Sequence, residues 1–233
     1  TGGIYFGEPR GIEDLQDGQR KGTNTEVYTT NEILRLARVG FEIAMKRKKI
    51  VHSVEKANVM ESGILWREEV KKLHESKFSK ISLNNMYADN CAMQLVRKPS
   101  QFDVIITGNL FGDILSDISA ELTGSLGMLP SASLGDKIND KRKALYEPVH
   151  GSAPDIAGKN IANPIAMIMS FSMMLEHSFY DQKTSKVIEK SVENVLENGF
   201  RTKDICQDDT KEVSTSDMGE LICEEFKSLS KNI

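Results

Sequence analysis

An α/β fold is predicted for this 233-residue chain on three observations: apolar residues at helical spacing alternate with short β-rich runs, residues 102–107 read as a buried strand of the continuous apolar type, and Gly, Pro or Asn stands at several of the joins. In chain order, residues 31–47 place Ile33, Ala37, Phe41 and Ala44 on one stripe and leave Arg35, Arg38 and Glu42 off it, which predicts a helix. A β-rich run follows at 49–54, and Trp66, Val70 and Leu73 mark the inner face of a second helix. Residues 81–83 predict a further strand, and 89–98 a helix that ends before Pro99, whose ring and missing N–H cannot continue it. The run 102–107 has the composition of a strand covered on both faces. It ends at Gly108, and a helix is predicted to begin near Asp113.

Beyond Gly124 the texture changes. Residues 124–163 are rich in Gly, Pro, Ser and Ala and read as one long loop, a length that points to function or disorder. Asn163 as N-cap and Pro164 at the first helical position then open an apolar, Met-rich helix running to Leu175. Residues 183–198 are amphipathic through Val187, Val192, Val195 and Leu196, with Gly199 as the stop. A last helix, 217–229, has its faces set by Leu221, Ile222, Glu225 and Phe226.

Composition excludes several classes. The 30 basic and 34 acidic residues are interspersed and give a net charge of −4, so neither nucleic acid nor another polyanion is expected as a partner. The longest apolar run, 161–175, is interrupted by Asn163, Pro164, Ser170 and Ser172, so no membrane span is expected. Cys91, Cys206 and Cys223 are far apart and odd in number, which predicts reduced thiols and a cytoplasmic setting. The opening TGGIYFG is β-prone, glycine-punctuated and lacks an initiator Met; the expectation is a fragment cut inside a folded element.

Two segments carry candidate chemistry. In TGNLFGDILSD (residues 107–117) the carboxylates of Asp113 and Asp117 fall one helical turn apart on one face. That pattern fits an acidic first turn facing the helix dipole, or a site for a cation that relieves their repulsion. Asp89 supplies a third carboxylate, and an oxygen-only set of this kind suits Mg²⁺ or Mn²⁺. In EPVHGSAPDIAG (residues 147–158), Gly151 and Gly158 permit close backbone approach to a ligand, Asp155 can accept both hydroxyls of a ribose, and Ile156 offers an apolar surface to a purine. The same segment also fits a proline-stiffened surface loop in which His150 makes a local hydrogen bond. No Gly-x-Gly-x-x-Gly occurs, so a Rossmann site is not supported.

Seven motifs in order and spacing, TGGIYFGEPRG (1–11), NTEVY (24–28), VEKANV (54–59), YADNCAM (87–93), GNLFGDILSD (108–117), GMLPSASL (127–134) and the segment 147–164, resemble the isocitrate/isopropylmalate dehydrogenase family. The first two resemble its isopropylmalate branch most. The resemblance covers essentially the whole chain and implies a two-domain, non-Rossmann α/β fold with part of the first domain missing. Residues 1–123 would be most of a substrate and dimerisation domain, and 124–233 the C-terminal return of the cofactor domain.

The resemblance implies oxidative decarboxylation of (2R,3S)-3-isopropylmalate to 4-methyl-2-oxopentanoate with NAD and Mg²⁺ or Mn²⁺, a step of leucine biosynthesis. Tyr28 and Lys56 match the catalytic proton donor and general base, and Arg10 and Asp89 match substrate-binding positions. Asp89, Asp113 and Asp117 match the metal ligands. Glu147, His150, Gly151, Ser152, Ala153, Pro154, Asp155, Ile156, Ala157, Gly158 and Asn163 match the cofactor loop. Asp155-Ile156 favours NAD, because a carboxylate repels a 2′-phosphate. A homodimer is implied, with Lys56 and Asp89 contributed across the interface. The chain alone is expected to be inactive. The alternatives are a related enzyme acting on homoisocitrate, tartrate or isocitrate, and an idle dimerisation fragment.

Overall fold

The computed structural model describes residues 2–136, 139 and 142–231. The chain divides into two compact units between Ser119 and Ala120.

The first unit opens with a two-stranded antiparallel ribbon, β1 (Gly11–Asp14) and β2 (Arg20–Thr23), exposed along nearly its whole length. Helix α1 (Thr30–Met45) starts at a capping box in which Thr29 and Glu32 satisfy each other's backbone amides. Strand β3 (Ile50–Glu55), helix α2 (Glu61–Lys77), strand β4 (Ser82–Tyr87), helix α3 (Ala88–Arg97), strand β5 (Val104–Thr107) and helix α4 (Asn109–Thr123) follow. The three strands form a parallel sheet in the order β4-β3-β5.

Alternation along β3 explains how both faces of that sheet are covered. Val51 packs with Ile33, Phe41, Trp66, Val70 and Ile106 on the α1 and α2 side. Val54 packs with Ala88, Cys91, Leu95 and Leu115 on the α3 and α4 side. The apolar stripes predicted for α1 and α2 are the ones buried. Polar residues of β3 are buried as well: Trp66 Nε1 donates to Ser53 Oγ at 3.1 Å, and the His52 ring meets Phe102 edge-on at 4.6 Å.

Two boundaries differ from expectation. Strand β4 runs four residues past Leu83 because Asn84, Asn85 and Met86 pair with β3 despite weak β character, as tertiary context overrides propensity. Helix α4 begins at Asn109, not near Asp113. Asp113 and Asp117 therefore lie past its first turn, where the dipole no longer accounts for them.

The second unit contains strands β6 (Pro130–Leu134) and β7 (Ala144–Pro148), which pair antiparallel from Pro130↔Pro148 to Leu134↔Ala144. The expectation of one long loop over 124–163 is corrected here; Pro, Ser and Ala at strand positions hide the pairing from composition. Helix α5 (Ile165–His177) packs against both strands. It starts one residue after Pro164, and Asn163 Oδ1 accepts from the Ile165 amide at 3.0 Å, so Asn163 caps the helix from one position further out. Helix α6 (Gln182–Glu197), the short parallel pair β8 (Phe200–Arg201) and β9 (Lys211–Glu212), and helix α7 (Thr215–Ser230) complete the unit. Its core joins Ile165, Val192, Val195, Met218 and Ile222, with Val187 and Phe226 less buried than their spacing predicts.

Candidate active site

In the first unit the opening segment is tied to the start of α4. Gly3 N donates to Val27 O at 2.6 Å and Asn109 Nδ2 to Gly2 O at 2.8 Å. This brings Tyr5 to Asp113, where its hydroxyl donates to Oδ2 at 3.1 Å; that bond holds the Tyr5 phenol above its ordinary pKa. Arg10 is exposed, and its Nη1 donates to Tyr5 O at 2.6 Å, leaving the rest of its fork free among the described residues. Tyr5 thus links the candidate carboxylate clamp to a candidate metal ligand. Sequence reading missed it, although it lies inside the TGGIYFG motif.

Tyr28 is half-buried just before the α1 capping box. Its hydroxyl accepts from Asn109 N at 2.8 Å and donates to Asn109 Oδ1 at 3.0 Å, and its ring meets Trp66 edge-on at 5.4 Å. Gly108 makes this possible, because a Cβ there would lie 2.9 Å from the phenol oxygen. Burial raises the Tyr28 pKa above the ordinary phenol value.

Lys56, directly after β3, pairs with Asp89 at 2.8 Å. Asp89 is exposed in the first turn of α3, and the hydrogen bond from Lys56 holds its carboxyl below the ordinary range. Tyr28 and Lys56 also border one cavity of about 10 Å³, which has room for no more than about a water molecule and is not a substrate site. Asp113 and Asp117 are both exposed on α4, and neither is ion-paired among the described residues. Nor do three or more His, Cys, Asp or Glu among those residues gather where they could hold a metal ion. The predicted set of Asp89, Asp113 and Asp117 is therefore not brought together within one chain. The Asp113–Asp117 couple still fits a hard cation chemically, provided further oxygen donors come from elsewhere.

The second unit holds a cavity of about 780 Å³, the size of a site for a nucleotide or a larger small molecule. Of the predicted loop residues, His150, Gly151, Ser152, Ala153, Ile156, Ala157, Gly158 and Asn163 line it. Glu147, Pro154 and Asp155 do not. Glu147 lies in β7, and Asp155 is exposed on the same short helical turn as Ile156. Ala153 at φ +41° and Gly158 at φ +74° bend the loop, and His150 Nδ1 meets Gly151 O at 2.9 Å. Asn163 is buried with its side chain fully committed: Nδ2 donates to Asp204 Oδ2 at 3.1 Å while Oδ1 caps α5. Asp204, Asn160, Gly127 and Thr215 also line the cavity, and sequence reading missed all four. Asn160 sits at φ +56°, a backbone cue that no pattern search uses.

A covered parallel sheet, carboxylates in the helices that follow β4 and β5, and a glycine-bent loop lining a cavity in the second unit define an α/β protein without a dinucleotide fingerprint. The profile of the isocitrate/isopropylmalate dehydrogenase family matches residues 1–222, and the chain belongs to that family. It is 60% identical over 231 residues to the 3-isopropylmalate dehydrogenase of Gluconobacter oxydans, covering 99% of this chain and 63% of that protein. The same-named protein of Pelagibacter ubique is 59% identical over 223 residues, covering 95% and 61%. Among solved structures, an isocitrate dehydrogenase from Methylococcus capsulatus is similar at TM-score 0.84 and 36% identity, covering 97% of this chain and 65% of that one. A β-decarboxylating dehydrogenase from Thermococcus kodakarensis is similar at TM-score 0.77 and 33% identity, covering 95% and 62%. The chain thus spans a little under two thirds of the length of the curated relatives it matches. No helix among the described residues is long and apolar enough to cross a membrane.

Proposed function

We propose that the protein carrying this chain oxidises and decarboxylates 3-isopropylmalate with NAD, a step of leucine biosynthesis in the cytoplasm, and works as a homodimer. The observation that carries this reading is the Asp113–Asp117 couple: two exposed carboxylates past the first turn of a helix, where the dipole does not account for them and neither has an ion-pair partner among the described residues. The 60% identity to proteins named 3-isopropylmalate dehydrogenase supports the substrate.

Asp113 and Asp117, with Asp89 of the partner subunit, would hold Mg²⁺ or Mn²⁺; when bound, such an ion acidifies a chelated hydroxyl and stabilises enolate charge. Arg10 binds a substrate carboxylate through the part of its fork that Tyr5 leaves free. Lys56, reaching across the interface with Asp89, takes the hydroxyl proton. Tyr28, a phenol whose pKa burial raises further, returns a proton to the enol carbon. The loop 147–163 and its cavity bind NAD, and Asp155 disfavours a 2′-phosphate there.

The test is turnover of 3-isopropylmalate, isocitrate, homoisocitrate and tartrate side by side, with NAD and Mn²⁺. Isopropylmalate is expected to give the highest kcat/KM, and its losing that comparison overturns the substrate assignment. The 233 residues expressed by themselves are expected to reduce little NAD, and a normal rate from them would contradict this.

A further inference from the structure

Glu55 closes β3 immediately before Lys56, yet it is only 3% exposed. A carboxylate so buried needs a cation, because desolvating an unpaired charge is costly. Arg67, on the second turn of α2, supplies it: Nε donates to Oε1 at 2.9 Å and Nη2 donates to the same oxygen. The other oxygen, Oε2, accepts from the amide of Ala57, on the far side of Lys56 in sequence. One carboxylate thereby fixes the backbone on both flanks of the lysine. Gly63 of α2 closes on the same peptide; a Cβ there would lie 2.8 Å from Ala57 N and 2.9 Å from Lys56 C.

Tyr87 joins this network to Asp89. Its ring centroid lies 5.1 Å from Arg67 Cζ and 5.6 Å from Lys56 Nζ. Two cations on one ring are tolerated because each has its own carboxylate, Glu55 for Arg67 and Asp89 for Lys56. Tyr87 is also the last residue of β4 and the N-cap of α3, so its placement and the direction of Asp89 are set together.

We propose that Glu55, Arg67 and Tyr87 are positioning residues that hold Lys56 Nζ and the Asp89 carboxylate at their working separation. This rests on the reading of Lys56 as the base. The geometry explains why Arg67 and not lysine stands there: a guanidinium can place Nε and Nη2 together on Glu55 Oε1 with Cζ 5.1 Å from the Tyr87 ring centroid, which an ammonium cannot.

The test is steady-state kinetics with thermal melting on the protein carrying this chain. Lys56→Met is expected to abolish turnover. Arg67→Met and Tyr87→Leu are expected to lower kcat by about tenfold or more while the KM for NAD stays put. Tyr87→Phe keeps a ring face and loses far less than Tyr87→Leu; Arg67→Lys recovers only part of the loss. Should Arg67→Met fail to fold, Tyr87→Leu, at a partly exposed position, decides alone. Lowered melting temperature with kcat preserved in both variants would overturn the proposal. Turnover surviving in Lys56→Met would instead sink the reading of the base.

Discussion

Within residues 2–119, Lys56 and Tyr28 stand at the ends of buried elements, whereas residues 120–231 present their candidate groups on an exposed loop. Lys56 projects from the end of a strand whose last five residues are buried, and Tyr28 precedes a capping box and leans on Trp66. The loop 151–160, in contrast, is exposed at every residue except Ile156, and it gets its shape from positive-φ positions and the cap at Asn163. Proton transfer, the role proposed for the first region, tolerates little misplacement and suits a rigid frame. Cofactor binding, the role proposed for the second, needs backbone groups within reach and suits an open loop.

The largest effect that would break this comparison is at Asp113. Asp113→Asn is expected to cut kcat by about a hundredfold or more, as loss of an electrostatic partner in the reaction would, with little change in melting temperature. Normal turnover in this variant would remove Asp113 from the site. The two regions should next differ in their response to an added methyl. Gly63→Ala forces Cβ against backbone and is expected to destabilise by about 1–3 kcal/mol. Gly158→Ala meets open space and costs only the left-handed strain, about 1 kcal/mol. Urea midpoints in the reverse order would contradict the contrast.

A smaller effect concerns His52, whose buried ring is held below the ordinary imidazole value of 6.5. Below that value the unfolded chain binds the proton more readily than the folded one, so stability should fall as pH drops from 7 towards 5. His52→Phe should flatten that slope, which urea titrations at both pH values would show. The smallest effect is chemical: native alkylation should label exposed Cys223 first and Cys91 last, since burial pushes the Cys91 thiol up to about 11. Mass mapping that finds Cys91 modified early would mean that the α3 face of the sheet opens readily.

Much of this was legible in the sequence. The buried stripes of α1 and α2 followed from spacing alone, because helix burial repeats with the helical period. The hairpin of β6 and β7 did not, since its strands carry Pro, Ser and Ala and are specified by α5 packing across them. For the candidate site, the motifs pointed to the aspartates, the lysine and the loop. They did not reveal Arg67, Glu55 or Asp204, whose roles come from contacts between residues distant in sequence or from burial that composition does not encode. Asp155 shows the converse: the motif pointed to it, yet the cavity is lined by its neighbour Ile156.

The central claim is that the aspartates acting together belong to two chains. Its most direct test pairs Asp89→Asn with Asp113→Asn. Each variant alone should form a homodimer with both sites broken. Mixed dimers, made by co-expressing differently tagged chains, should regain roughly half of the Mn²⁺ sites and of the turnover, because one of the two sites is intact. Mixed dimers that bind no Mn²⁺ and stay inactive would show that the three aspartates act within one chain, and would contradict the account.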